Sequence, residues 1–196
     1  MKRRAMLAVP LVLAGCGLET RPYAERRQWP LLVRRPEALP PRSGGAVLLV
    51  RSFAAGPGLE ARGLQSVQPD GSIRTEFYEE WSVPPPQAVE QAVRGWLADC
   101  GLFSAVVAPG SRLAAGLVLE AELDALWTAP AARLARTALG VTLVAEGGAT
   151  AHLVLQQRVE GEAALAGTTP QDAVGAMTAA VGALCGRVEA AVRTRG

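Results

Sequence analysis

From residue 44 onward the chain switches between two hydrophobic periods, and the order of the switches predicts its elements. Residues 46–53, Ala-Val-Leu-Leu-Val-Arg-Ser-Phe, form a β-rich run closed by Gly56-Pro57-Gly58, which predicts a short buried strand. Residues 64–68 and 73–81 flank Pro69-Asp70-Gly71-Ser72, where Pro presets φ and Gly accepts a positive one, so this pair predicts a hairpin. Pro84-Pro85-Pro86 then opens a helix in which Ala88, Val89, Ala92, Val93, Trp96, Leu97 and Cys100 recur at steps of three and four; Gly101 closes it. Leu117, Leu119, Ala121, Leu123, Ala125 and Trp127 alternate with Val118, Glu120, Glu122, Asp124 and Leu126, the period of a strand with one covered face. Leu139, Val141, Leu143 and Ala145 continue that pattern, Gly147-Gly148 turns the chain, and Leu153, Leu155 and Val159 form a further inward set. Thr169, Pro170 and Asp172 read as N-cap, first helical residue and acidic first turn. The stripe Val174, Met177, Val181, Leu184, Val188 and Val192 follows on one long helix. The expected fold class is α+β, a mostly antiparallel sheet with two amphipathic helices packed on one face.

The first 43 residues follow neither period. Lys2, Arg3 and Arg4 precede an apolar run over 5–14 that falls short of the roughly 20 residues needed to span a bilayer, so it reads as a secretory leader. The leader ends in Leu13-Ala14-Gly15-Cys16, which resembles the lipobox of bacterial lipoproteins. That resemblance implies cleavage before Cys16, a diacylglycerol thioether on its sulfur and an acyl group on the new amine. Small Ala14 and Gly15 suit backbone access, and only a thiol at position 16 gives the thioether. Two or three acyl chains anchor stably where one is marginal. Gly17 stands where enterobacterial lipoproteins carry Asp to stay at the inner membrane, which implies the periplasmic face of the outer membrane. Residues 18–42 hold Pro22, Pro30, Pro36, Pro40 and Pro41 with six Arg against three Glu, a density that excludes a continuous helix or central strand. The expected organisation is a leader over 1–15, lipidated Cys16 with an extended tether over 16–43, and a periplasmic domain over 44–196.

Charge then changes meaning. A formal +2 looks basic, but three cationic residues belong to the leader and six Arg to the tether. The remaining body carries 11 Arg against 15 acidic residues, so no basic stripe for nucleic acid survives. One His in 196 residues argues against multi-His metal sites.

Three constellations carry candidate chemistry. Glu120, Glu122 and Asp124 share a strand face about 7 Å apart in steps of two, a spacing compatible with acid–base work or Ca²⁺ and, more commonly, with a solvated face. His152 lies on a polar face beside Gln156 and Arg158. With Cys16 lipidated, Cys100 and Cys185 remain as one pair in an oxidising compartment, to be joined as a disulfide or left as two buried thiols. Gly-x-Ser-x-Gly, a phosphate-binding Gly loop and CxxC are absent from the sequence. The chain is expected to be no enzyme and to need no metal or cofactor beyond its lipid.

Residues 48–59, Leu-Leu-Val-Arg-Ser-Phe-Ala-Ala-Gly-Pro-Gly-Leu, and 77–85, Phe-Tyr-Glu-Glu-Trp-Ser-Val-Pro-Pro, resemble the first strand and the Tyr–Trp–Pro block of the ABC-type transport auxiliary lipoproteins, the PqiC-like family. The following helix, the Phe103–Val107 run, the acidic strand, two long strands and a C-terminal helix keep the family's order. The resemblance implies a lipid-anchored subunit of an envelope lipid transporter. Its partners would be a periplasmic MCE-domain protein with its permease and ATPase, with Tyr78, Trp81 and Pro84 shaping the docking body and self-association as a further expectation. An LptE-like lipopolysaccharide-assembly lipoprotein and a purely structural envelope lipoprotein stand as alternatives.

Overall fold

The computed structural model describes residues 25–147 and 150–194. In chain order the elements are β1 (Arg27–Trp29), β2 (Val47–Val50), β3 (Ala54–Ala55), β4 (Gly63–Val67), β5 (Ile73–Trp81), α1 (Pro85–Ala98), β6 (Ala105–Val107), β7 (Leu117–Ala129), β8 (Leu134–Ala145), β9 (His152–Ala164) and α2 (Pro170–Arg193). The class is α+β, as expected.

β7 organises the sheet. One edge pairs antiparallel with β8 along its whole length, and β8 pairs antiparallel with β9. The other edge takes three short strands in succession: β2 at Leu117–Leu119, β3 at Glu122–Leu123 and β4 at Thr128. The sheet therefore forks. One branch adds β6 to β2, and the other adds β5 and then β1 to β4. The long ladders are antiparallel, whereas β1 on β5, β2 on β6 and the β2, β3 and β4 contacts with β7 are parallel.

The helices cover one face. α1 starts on the expected prolines, with Pro84 as N-cap, and buries Val89, Val93 and Leu97. α2 starts on the expected capping box: the Thr169 hydroxyl accepts the Asp172 N–H while the Asp172 carboxylate accepts the Thr169 N–H at 3.1 Å. Its stripe Met177, Val181, Leu184, Val188 and Val192 is buried against Leu139, Val141, Leu143 and Val159 of the sheet. Gly161 of β9 makes this approach possible. A Cβ there would sit 2.1 Å from the Ala180 carbonyl oxygen on the helix backbone.

Three expectations are corrected. β7 carries a bulge between Leu123 and Ala125, so the inward set changes phase: Leu126 and Thr128 turn to the core side after Leu119 and Leu123, and Ala125 and Trp127 stand outside the core cluster. A second bulge between Leu155 and Leu153 on β9 turns Leu153 outward, leaving it 59% exposed. The third concerns the tether. Residues 25–43 are extended, as the prolines require, but they strap the body rather than leave it. Trp29, Leu31 and Val33 turn inward on alternate residues and pack on the core, while Pro30 and Pro36 take exposed positions. The Leu39 N–H donates to the Asp99 carbonyl at 2.9 Å and the Arg42 N–H to the Phe103 carbonyl at 2.8 Å. The folded unit begins with β1, not at residue 44; residues 16–24 of the expected tether lie outside the described residues.

Candidate docking surface

Two carboxylates fasten the strap, each combining an Arg with a Trp. Near its start, Glu79 on β5 accepts from Arg27 Nε at 2.8 Å and from Trp29 Nε1 at 2.6 Å. Further on, Glu189 on α2 accepts from Arg35 Nε at 3.0 Å, from Trp96 Nε1 of α1 at 2.7 Å and from Arg193 at 2.6 Å. Burial pushes the Glu189 carboxyl up, but the hydrogen bonds from Arg35, Trp96 and Arg193 outweigh it and hold the group at about 2. The strap, α1 and α2 therefore share one charged node in the described structure.

The strap covers only part of β5. Its parallel register runs from Arg27↔Glu79 to Trp29↔Trp81. There Glu79, Glu80 and Trp81 are all buried. Before Glu79 the outer edge of β5 has no strand partner among the described residues. Along it Ile73 is 58%, Phe77 64% and Tyr78 47% exposed. The Phe77 and Tyr78 rings meet edge to face, centroids 5.0 Å apart, and the Arg26 guanidinium lies 4.3 Å from the Phe77 centroid. Tyr78 forms the lip of a groove of about 460 Å³ between the β4–β5 hairpin and the start of α2, with Gln65, Arg74, Thr128, Leu165 and Ala173 among its walls. Of the groove's charged residues, Arg74 pairs with Glu76 at 3.1 Å and Glu79 with Arg27 of the strap. Among the described residues no acid–base pair is aimed into the groove.

The sequence candidates separate accordingly. Tyr78 and Pro84 are exposed, but Trp81 is 1% exposed and belongs to the core, so it offers no surface of its own for a contact. Leu13, Ala14, Gly15 and Cys16 lie outside the described residues. Cys100 and Cys185 are both free and buried, so the structure takes the thiol alternative. The Cys100 thiol donates to the Leu97 carbonyl at 3.0 Å, and burial pushes the Cys185 thiol up to about 12. Of the acidic strand, Glu120 pairs with Arg51 at 2.6 Å and Asp124 with Arg158 at 3.4 Å, both surface ion pairs, and Glu122 is exposed to solvent. His152 is exposed. Among the described residues no three His, Cys, Asp or Glu are grouped to hold a metal ion.

Sequence reasoning missed Glu79, Glu189 and the strap. The alternation of Trp29, Leu31, Val33 and Arg35 was the available signal, masked by the prolines between and beyond them.

No protein-family model and no curated protein matches the chain. Solved structures do. The crystal structure of an uncharacterized protein is 12% identical with a TM-score of 0.69, the match covering 86% of this chain and 99% of that one. Protein XCC0632 from Xanthomonas campestris, assigned to the family model DUF330, is 14% identical with a TM-score of 0.65, covering 87% and 95%. The hypothetical protein CT253 from Chlamydia trachomatis is 10% identical with a TM-score of 0.54, covering 76% and 99%. The likeness is one of fold: the chain shares the architecture of a DUF330 protein over most of its length, which agrees at a coarse level with the PqiC-like resemblance.

Proposed function

We propose that this protein is an outer-membrane lipoprotein of the PqiC-like kind, a non-catalytic docking subunit of an MCE/ABC-type transporter that moves lipids or other hydrophobic solutes across the envelope. The observation that carries the reading is the combination of a lipobox at 13–16 with a DUF330-like fold that extends over 87% of the chain. The Tyr78 groove and the exposed edge of β5 are the contact surface offered to partners or membrane. A strap fastened at both ends gives the anchored chain a rigid body to pull against.

Crosslinking and affinity recovery of the full-length, membrane-anchored protein tests the proposal. Recovery of an MCE-domain protein with its permease and ATPase is the expected result. Recovery of an outer-membrane β-barrel without an MCE partner overturns it in favour of an LptE-like role. An unacylated Cys16 in the intact protein removes the anchored form altogether.

A further inference from the structure

We propose that the outward face of the β4–β5 hairpin lies on the headgroup layer of the bilayer that holds the lipid anchor. The inference deepens the lipoprotein reading above and rests on acylation of Cys16.

The face has the wrong composition for water. The open side of a hairpin is ordinarily polar. Here Ile73 and Phe77 are exposed, half-buried Val67 stands directly across from Ile73, and the polar members are Thr75 with Gln65 across from it. An aromatic ring with a guanidinium stacked on it, as Arg26 is on Phe77, suits the boundary where acyl chains meet phosphates.

The path of the chain brings this face to the membrane. β1 runs parallel to β5, so the described residues upstream of Arg27 follow β5 back from Glu79 to Phe77, where Arg26 lies against the ring. Cys16 lies eleven residues before Arg27, a distance the chain spans in at most about 40 Å. The described chain enters the body with Arg26 against Phe77, so on the lipoprotein reading this is the tethered end. The loop at 108–116 lies at the other end of β7, about 40 Å away along the strand.

Local charge selects the mode of contact. This end of the body carries Arg26 and Arg74 against Glu25, Asp70 and Glu76, with Arg74 paired to Glu76 at 3.1 Å, so no excess positive charge is left to draw anionic lipid. The Asp70 carboxylate at the turn is turned back on the chain, accepting the Ser72 N–H at 2.9 Å and its hydroxyl at 2.7 Å. An ionised group at the tip disfavours insertion tip-first, so the hairpin lies face down. A protein partner would also accept an apolar face, but the tethered end of the body meets the bilayer first.

The test uses the full-length acylated protein in vesicles of phosphatidylcholine and phosphatidylglycerol. Intact mass of the same sample reports acylation of Cys16, so failure of the lipoprotein reading is seen separately. An environment-sensitive fluorophore is attached through Ser72→Cys, next to Ile73, or through Arg112→Cys in the far loop. Quenching by brominated phosphatidylcholine should be several-fold stronger at position 72 than at 112 and unchanged by high salt. Adding Ile73→Ser and Phe77→Ser should lower quenching at 72 to the level at 112 with acylation intact. Equal quenching at the two positions in acylated protein, loss of the difference at high salt, or persistence of it after both substitutions overturns the proposal. Protection of position 72 only after envelope proteins are added also overturns it, and assigns the face to a protein.

Discussion

Phe77 and Trp81 stand four residues apart on one strand, yet one is 64% exposed and the other 1%. The strand's own sequence does not separate them, since both are large aromatics in a β-rich run. The difference is the neighbour: β1 lies along β5 from Glu79 to Trp81 and pairs with nothing before it in the described residues. Burial on β5 is thus set by its neighbours. Trp81 packs into the core cluster where β1, which joins from fifty residues earlier in the chain, covers the edge, and the ladder with β4 shifts register between Thr75 and Glu80. The covered half is structural and the open half is surface available for contact.

The sharpest way to break this contrast is to truncate the covered aromatic. Trp81→Ala removes a fully buried ring from the contiguous core, and we expect a loss of about 3–5 kcal/mol in urea unfolding. A loss under about 1 kcal/mol would mean that Trp81 is not the packed counterpart of Phe77.

Next in size is the node at Glu189. Glu189→Ala leaves Arg35, Trp96 and Arg193 without their acceptor, and the expected loss is about 2–3 kcal/mol, below that of a wholly buried pair because Arg193 is half in water. The same node predicts a pH window. Glu189 is held at about 2 in the folded protein against its ordinary 4.5, so the unfolded chain takes up its proton first. Its stabilisation is complete above about pH 4.5 and is lost as pH falls toward 2. Unfolding midpoints measured from pH 6 to 2 should fall less steeply in Glu189→Gln than in the parent. Equal slopes would show that the node does not couple folding to protons.

Much of this architecture is legible in the sequence, and the exceptions share a cause. The hairpin turn, the proline start of α1 and the Thr169–Asp172 capping box are local signals, and local signals survive folding unchanged. The bulges at Asp124 and Val154 are not readable. One extra residue reverses the inward face, and nothing in the alternation before it announces the insertion. The strap is hidden because prolines exclude a central strand and say nothing against an edge strand with prolines turned outward. Glu79 and Glu189 look like ordinary surface acids in isolation. Their roles depend on Trp29 and Arg35, which only the tertiary path brings to them.

Glu79 sharpens the comparison within the strap itself. It fastens the strap at β5 as Glu189 fastens it on α2, but Arg27 is half-exposed and one fewer donor converges. Glu79→Ala should therefore cost about 1–2 kcal/mol. Amide exchange should accelerate over residues 27–31 while β7, β8 and β9 keep their protection. Acceleration spreading evenly through the sheet would mean that the strap and body open as one unit.

The smallest expected effect belongs to Phe77, and its smallness is the point. Phe77→Ser removes a ring whose only described aromatic and cationic neighbours, Tyr78 and Arg26, are themselves exposed. Stability should change by no more than about 0.5 kcal/mol, since little apolar surface leaves water when this side chain folds. An exposed aromatic that contributes so little to folding is a liability on an open β edge. If Phe77→Ser instead lowers stability by more than about 1 kcal/mol in the monomer, the ring is part of the core by another route. The two halves of β5 would then differ in degree rather than in kind.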